Sequence, residues 1–223
     1  MAKIVCAKTL NYPKETSKGY DAVFADTATG IFALCDGANS SPQGGVTAQA
    51  ICQEFGARLS INREENIPLL LQELHTTATY STSSTGSTLV GLRVTARTID
   101  YVSVGDSFLY IFKRKPVWGW SKAVQSHRDV DADGNPWQLI GSPIYKNPHL
   151  GTITRSADAC AVLMSDGAGN FLSESEILSP LKLLKDSTPG PSDLQFFADD
   201  LARTAFDRGS RDDISILIVW LRI

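Results

Sequence analysis

Two aspartates at the ends of apolar runs are the residues in this sequence best placed to do chemistry. In "AVLMSDGAGNF" (161–171) five apolar or small residues lead into Asp166-Gly167, and "IFALCDGANS" (31–40) repeats the design with Asp36-Gly37. A third acid, Asp212 in "SRDDISILIV", stands just before another apolar run. In an antiparallel sheet the exit of one strand and the start of its neighbour share a rim. Neighbouring strands lie about 4.8 Å apart, and paired catalytic metals about 3.5–4 Å, so carboxylates on adjacent strand ends can share such ions. Hard cations such as Mg²⁺ or Mn²⁺ take oxygen ligands, and crowded acids repel one another unless a cation fills the space between them. The same residues also suit tight turns, since Asp-Gly is a strong turn signal; spacing alone leaves both readings open.

The elements that must position these acids follow from hydrophobic periodicity. "YDAVFADT" and "IFALCDG" read as short strands separated by "ATG". Val46, Ala50, Ile51, Phe55 and Leu59 recur at helical spacing, and Ile67, Leu70, Leu71, Leu74 and Ala78 predict a second helix. The period then switches to two: "STLVGLRV", "TIDYVSV" and "FLYIFKR" predict three strands in an antiparallel meander. Residues 114–150 read as irregular with a strand around "WGWSKAV", and strands return at "GTITR" and "ACAVLMS". Ser173 and Glu176 have capping-box spacing before Ile177, Leu178, Leu181 and Leu184, and Ser192 with Gln195 repeats it around Leu194, Phe197, Ala198 and Leu201, with Gly209 as the stop. "ISILIVWL" suits a strand covered on both faces. Consecutive strands and helices in pairs predict an α+β fold, a four-layer α-β-β-α sandwich of two antiparallel sheets flanked by helix pairs. With no linker-like shift and no repeat, residues 1–223 read as one domain.

Composition narrows the function. The chain has 223 residues, 43% of them hydrophobic, enough for a large core. A net charge of −3 without a basic block argues against a nucleic-acid surface. No segment approaches the roughly 20 apolar residues of a membrane span, and the start, "MAKIVCAKTL", offers no secretory signal. Cys6, Cys35, Cys52 and Cys160 lack CxxC spacing and read as reduced thiols of a cytoplasmic protein. His75, His127 and His149 are equally scattered and read as core or surface residues rather than zinc ligands.

Five stretches, "CDGA", "STGSTLVGL", "VSVGDSFLYIF", "LMSDGAGNFLSESEI" and "SRDDISILIVW", resemble in order and spacing the motifs of the metal-dependent type 2C serine/threonine protein phosphatases. The resemblance spans roughly residues 19–220. It implies a β-sandwich flanked by helices and hydrolysis of phosphoserine and phosphothreonine in a phosphorylated protein substrate. It also implies that Asp36 bridges two Mn²⁺ or Mg²⁺ ions with the Gly37 carbonyl nearby, and that Asp166 and Asp212 hold the first ion. Asp106, in "VGDSF", would support a third ion with Asp166, and Asp21, in "GYDAVF", would orient metal-bound water. A bridging hydroxide would then attack phosphorus in line, without a phosphoenzyme.

The chain departs from that pattern at three places. Tyr20 stands where the family has the first acid of its N-terminal pair, Thr16 where many members carry a phosphate-gripping arginine, and Ala38 where some carry a histidine. Lys14 or Lys18 could substitute as a point charge, without the planar fork of an arginine. These departures set up the competing expectation: an inactive module of the same fold that binds phosphorylated signalling partners. Other motifs fail on inspection. "DVDADGNPWQLI" (129–140) starts like a calcium loop but has Ile140 at position twelve, and reads as a solvated acidic turn. "TGSTLVG" lacks the spacing of a nucleophile elbow, and no phosphate-binding P-loop is present. Gly86 and Gly105 read as close-packing or turn positions, and Trp118, Trp120, Trp137 and Trp220 as core aromatics.

Overall fold

The run "ISILIVWL" is buried at every position, as a strand must be when both its faces are covered. In the computed structural model, which describes residues 3–40, 43–81, 85–115, 119–183 and 188–222, it is β10 (Ile214–Leu221). Residues alternate along it: Leu217, Val219 and Leu221 face a core shared with Phe32, Leu34, Val90, Leu92, Leu109 and Ile111. Ile216, Ile218 and Trp220 face the opposite way, onto helix residues. That two-fold alternation is what sets one sheet against the other.

The remaining elements are β1 (Ile4–Tyr12), β2 (Asp21–Asp26), β3 (Ile31–Asp36), α1 (Gly44–Ile61), α2 (Ile67–Ser81), β4 (Leu89–Val94), β5 (Thr98–Val104), β6 (Phe108–Lys115), β7 (Gly119–Gln125), β8 (His149–Thr154), β9 (Ala159–Met164), α3 (Asp166–Gly169), α4 (Glu174–Leu183) and α5 (Pro191–Asp207). They form two five-stranded antiparallel sheets, ordered β1-β10-β9-β6-β7 and β2-β3-β4-β5-β8. On the first, α4 and α5 bury Ile177, Leu181, Leu194, Ala198 and Leu201. On the second, α1 and α2 bury Ile51, Phe55, Leu59, Leu70, Leu71 and Leu74. The architecture is therefore the α-β-β-α sandwich expected from the sequence. Among the described residues no helix is long and apolar enough to cross a membrane.

Several local expectations are corrected. The N-terminal segment forms a full strand, β1, paired with β10. The three-strand meander is broken: β5 pairs with β4, but β6 crosses to the other sheet and pairs with β9 and β7. The crossover is a turn through Gly105, whose φ of +86° only glycine adopts without strain. On α1 the buried stripe runs through Thr47, Ala48, Ile51 and Cys52, leaving Val46 and Ala50 exposed. The Ser173–Glu176 capping box forms, but α5 starts earlier than the Ser192–Gln195 spacing suggests. Pro191 is its first residue, and the Asp193 carboxylate reaches back to the Gly190 N–H. Asp129 is wholly buried rather than solvated; the turn is made by Asp131, which accepts from the Asp133 and Asn135 N–H groups. Ser84, Trp118 and Leu184 lie outside the described residues.

Close packing makes one substitution run against helix propensity. Gly56 lies inside α1, where alanine normally gains about 1 kcal/mol, but a Cβ there would sit 2.2 Å from the Phe24 ring. Gly56→Ala should therefore destabilise the protein by about 1–3 kcal/mol, read as a lower urea midpoint at unchanged m-value.

Candidate metal centre

Both sheets present acids at one common rim, because β2 and β10 start there while β3 and β9 end there. Asp21 and Asp36 are direct cross-strand partners, a like-charge pairing that weakens a bare sheet. Asp166 follows β9 as the first residue of the short helix α3, Asp212 precedes β10, and Asp106 rides on the crossover turn. Neither Asp-Gly pair closes a hairpin. Asp36, Gly37, Asp106, Asp166 and Asp212 line one cleft of ≈ 380 Å³ together with Ala38, Asn39, Thr88 and Asn135. Asp21 lies behind them, 5% exposed.

Glycines let these segments approach. A Cβ on Gly37 would lie 2.2 Å from the Gly44 carbonyl oxygen, so the start of α1 can press against the end of β3 only because position 37 has none. Gly167 plays the same part at the other side, where a Cβ would lie 2.3 Å from the Asp213 carbonyl oxygen. Hydrogen bonds then fix the strand end. The Asp36 N–H donates to Thr88 Oγ1 at 2.9 Å, the Thr88 N–H returns to the Asp36 carbonyl at 2.9 Å, and the Ser87 hydroxyl donates to that carbonyl as well. The Gly37 N–H donates to the Tyr20 carbonyl at 3.0 Å. Asn39 Nδ2 donates to Asp212 Oδ2 at 2.7 Å.

The carboxylates perturb one another strongly. Burial holds the Asp36 carboxyl well above the usual range, and the charges of Asp21, Asp166, Asp106 and Asp212 push it the same way. Asp106 is pushed up to about 7 by burial and then by Asp166, against the opposing Arg128 guanidinium. Asp166 is raised by burial and by Asp212. Asp21 is raised well above its ordinary value, chiefly by burial; the Ser215 and Ser165 hydroxyls oppose the rise, yet neither carboxylate oxygen has a partner in hydrogen-bonding geometry.

These features fit hard divalent cations. Among the described residues lining the cleft the side-chain donors are carboxylates, amides and hydroxyls, with no imidazole or thiol. Two orphaned buried oxygens on Asp21, and acids raised by burial and then by one another's charges, are what a centre built around positive ions leaves when considered without them.

Several contributors were not visible from spacing. Asp213, next to Asp212 and 5% exposed, accepts the Lys18 N–H at 2.9 Å and the Tyr20 N–H at 2.8 Å, anchoring the segment that delivers Asp21. Only its adjacency in "RDD" hinted at a role. Asp213→Ala should cost about 2 kcal/mol, because the Lys18 and Tyr20 N–H groups lose a charged acceptor; equilibrium denaturation checks this. Arg128 Nε donates to the Asp106 carbonyl at 2.7 Å, and its guanidinium lies 4.0 Å over the Phe108 ring. Lys14 and Lys18 do not line the acid cleft. Lys18 borders a separate ≈ 210 Å³ cavity that shares Asp212, and Lys14 a groove along β1 and α5. Ala38 does line the cleft, so no imidazole projects from that position.

Comparison with known proteins places the fold. A sequence search of curated proteins finds no match. Among solved structures, the catalytic domain of the serine/threonine phosphatase PstP in complex with two manganese ions superposes with a TM-score of 0.79 at 16% identity, with 100% of each chain covered. The serine/threonine phosphatase Stp1 from Staphylococcus aureus gives 0.75 at 17% identity, covering 98% of this chain and 94% of that one. The S. agalactiae serine/threonine phosphatase gives 0.76 at 17% identity, covering 98% and 99%. At such identities the likeness establishes the fold. The sequence profile of protein phosphatase 2C matches residues 18–186, most of the chain. The chain thus belongs, as a divergent member, to the protein phosphatase 2C family.

Proposed function

We propose that this protein hydrolyses phosphoserine and phosphothreonine in phosphorylated proteins, using two Mn²⁺ or Mg²⁺ ions and, at Asp106, a third. The observation that carries the reading is the convergence of Asp21, Asp36, Asp106, Asp166 and Asp212 on one rim, with Asp21's buried oxygens unpartnered. Asp36, held at a fixed strand end, is the carboxylate that would bridge the ions, with the Gly37 carbonyl beside it. Asp166 and Asp212 would hold the first ion, and Asp106 with Asp166 the third. Asp21 would orient water from behind Asp36. When bound, the ions supply Lewis acidity: they acidify water and offset charge on the phosphoryl oxygens.

The chain's own residues set the rest. Thr88 and Ser87 fix the main chain at Asp36, and Asn39 holds the Asp212 carboxylate. With Ala38 in the cleft, the leaving serine or threonine oxygen takes its proton from solvent rather than from an imidazole. Three buried free cysteines suit a reducing, cytoplasmic compartment, which matches signalling phosphoproteins as substrates. The deciding experiment is phosphate release from a phosphothreonine peptide by the full chain, in Mn²⁺ and after chelation. Turnover that needs Mn²⁺ supports the reading. No turnover at saturating metal overturns it in favour of an inactive phosphopeptide-binding module.

A further inference from the structure

His127 and His149 stand far apart in the sequence, but the sheet brings them together. His149 opens β8 and is the register partner of Ser103 on β5. The Ser103 hydroxyl donates to the His127 carbonyl at 3.0 Å. The end of β5 therefore gathers both residues, and their rings lie 4.3 Å apart, tilted by 50°. Between them comes Asp129, whose side chain is 0% exposed and whose Oδ1 lies 2.7 Å from His149 Nε2. One donor atom from each of the three lies within 4.8 Å of the others.

We propose that His127, Asp129 and His149 form a Zn²⁺ site separate from the acid cleft. Two imidazoles and a carboxylate are a borderline-soft set that favours zinc over Mg²⁺ or Mn²⁺, and three protein ligands with a fourth position left to water is a common zinc arrangement. The carboxylate is oriented as a zinc ligand's usually is. Its second oxygen accepts from Gln138 Nε2 at 2.6 Å and from the Gly105 N–H at 3.1 Å, leaving Oδ1 for the ion. Tetrahedral ligands about 2.0–2.1 Å from zinc sit roughly 3.3 Å apart, so the His149–Asp129 pair opens by about 0.6 Å to admit it. His127 is exposed, so this side of the cluster faces solvent.

The site is wired to the rim. The Asp129 N–H donates to the Gly105 carbonyl at 2.8 Å while its carboxylate holds the Gly105 N–H, and Arg128 grips the Asp106 carbonyl. An ion bound to Asp129 therefore braces the turn that presents Asp106 to the cleft.

The test is Zn²⁺ binding to the chelator-stripped full chain by competition with a chromophoric chelator, with Co²⁺ substitution as a second readout. One Zn²⁺ per chain should be retained in Asp166→Asn but bound at least about tenfold more weakly in His127→Ala and in His149→Ala. The intense visible absorption of tetrahedral Co²⁺ should vanish with the same two histidines. Exposed His127 is the safer variant for folding, and circular dichroism checks both. If zinc stoichiometry and the cobalt spectrum are unchanged in a folded His127→Ala protein, the site does not exist and the Asp129–His149 contact is only a hydrogen bond. Metal binding is the readout throughout, so the result is independent of phosphatase turnover.

Discussion

Asp36→Asn and Asp166→Asn are each expected to lower Mn²⁺-dependent phosphate release by at least about 10²-fold, while leaving a folded protein. The two carboxylates lie at the centre of the cluster: Asp36 feels the charges of Asp21, Asp166, Asp106 and Asp212, and Asp166 feels that of Asp212. Asparagine keeps the shape but removes a negative oxygen, and a neutral amide is a weaker ligand for a hard cation. The same change relieves repulsion in the metal-free protein. Measured in chelator at pH 8, both variants should therefore melt higher than the parent, by about 2–4 °C for each kcal/mol of repulsion relieved in a domain of this size. Lower activity with a higher metal-free Tm separates loss of a ligand from ordinary damage. Full activity in both variants would remove these acids from the chemistry, and a lower Tm would show that they are structural.

The second large effect is on the pH dependence of stability without metal. Asp106 moves from an ordinary 3.8 to about 7 on folding, which corresponds to roughly 4 kcal/mol. Between those values the folded state holds a proton that the unfolded chain has released. The contribution is complete below about pH 4 and is lost as pH rises through about 7. Asp36, Asp21 and Asp166 are raised too and act with the same sign. His75, whose pKa burial lowers, acts in the opposite sense below its ordinary value, so the comparison is the parent against Asp106→Asn. In chelator the parent should lose stability relative to the variant from pH 5 to pH 8. Mn²⁺ should reverse that trend, because ions displace the protons and bind better as pH rises; at 100 times the dissociation constant binding alone adds about 2.7 kcal/mol. A parent-to-variant difference flat across that range would mean that neither burial nor the neighbouring acids raise the Asp106 carboxyl on folding.

The acids legible in the sequence were those that end or begin an apolar run. Asp36, Asp166 and Asp212 are marked by where hydrophobic alternation stops, which is local information. Asp213 is not, because its task is to accept N–H groups from residues 18 and 20 at the other end of the chain. Arg128 escapes for the same reason: nothing near it in "SHRDVD" reveals that it will hold the Asp106 turn. The capping boxes show how local rules compete. Ser173 with Glu176 won its position, whereas Pro191 and Asp193 outbid Ser192 and Gln195, since a proline at the first helical position leaves no N–H to satisfy.

Period, polarity and chain order determined the layers: which segments are strands, which helices pair, and that the acids sit at strand ends. Only the tertiary structure decided that β6 leaves its neighbour β5 for the other sheet, which brings Asp106 to the rim, and that β8 lies along β5, which brings His149 to Asp129. The physical reason is that side-chain alternation repeats identically whichever strand lies alongside. Periodicity can fix the faces of a strand but not its partner, and here the choice of partner decides which charges meet.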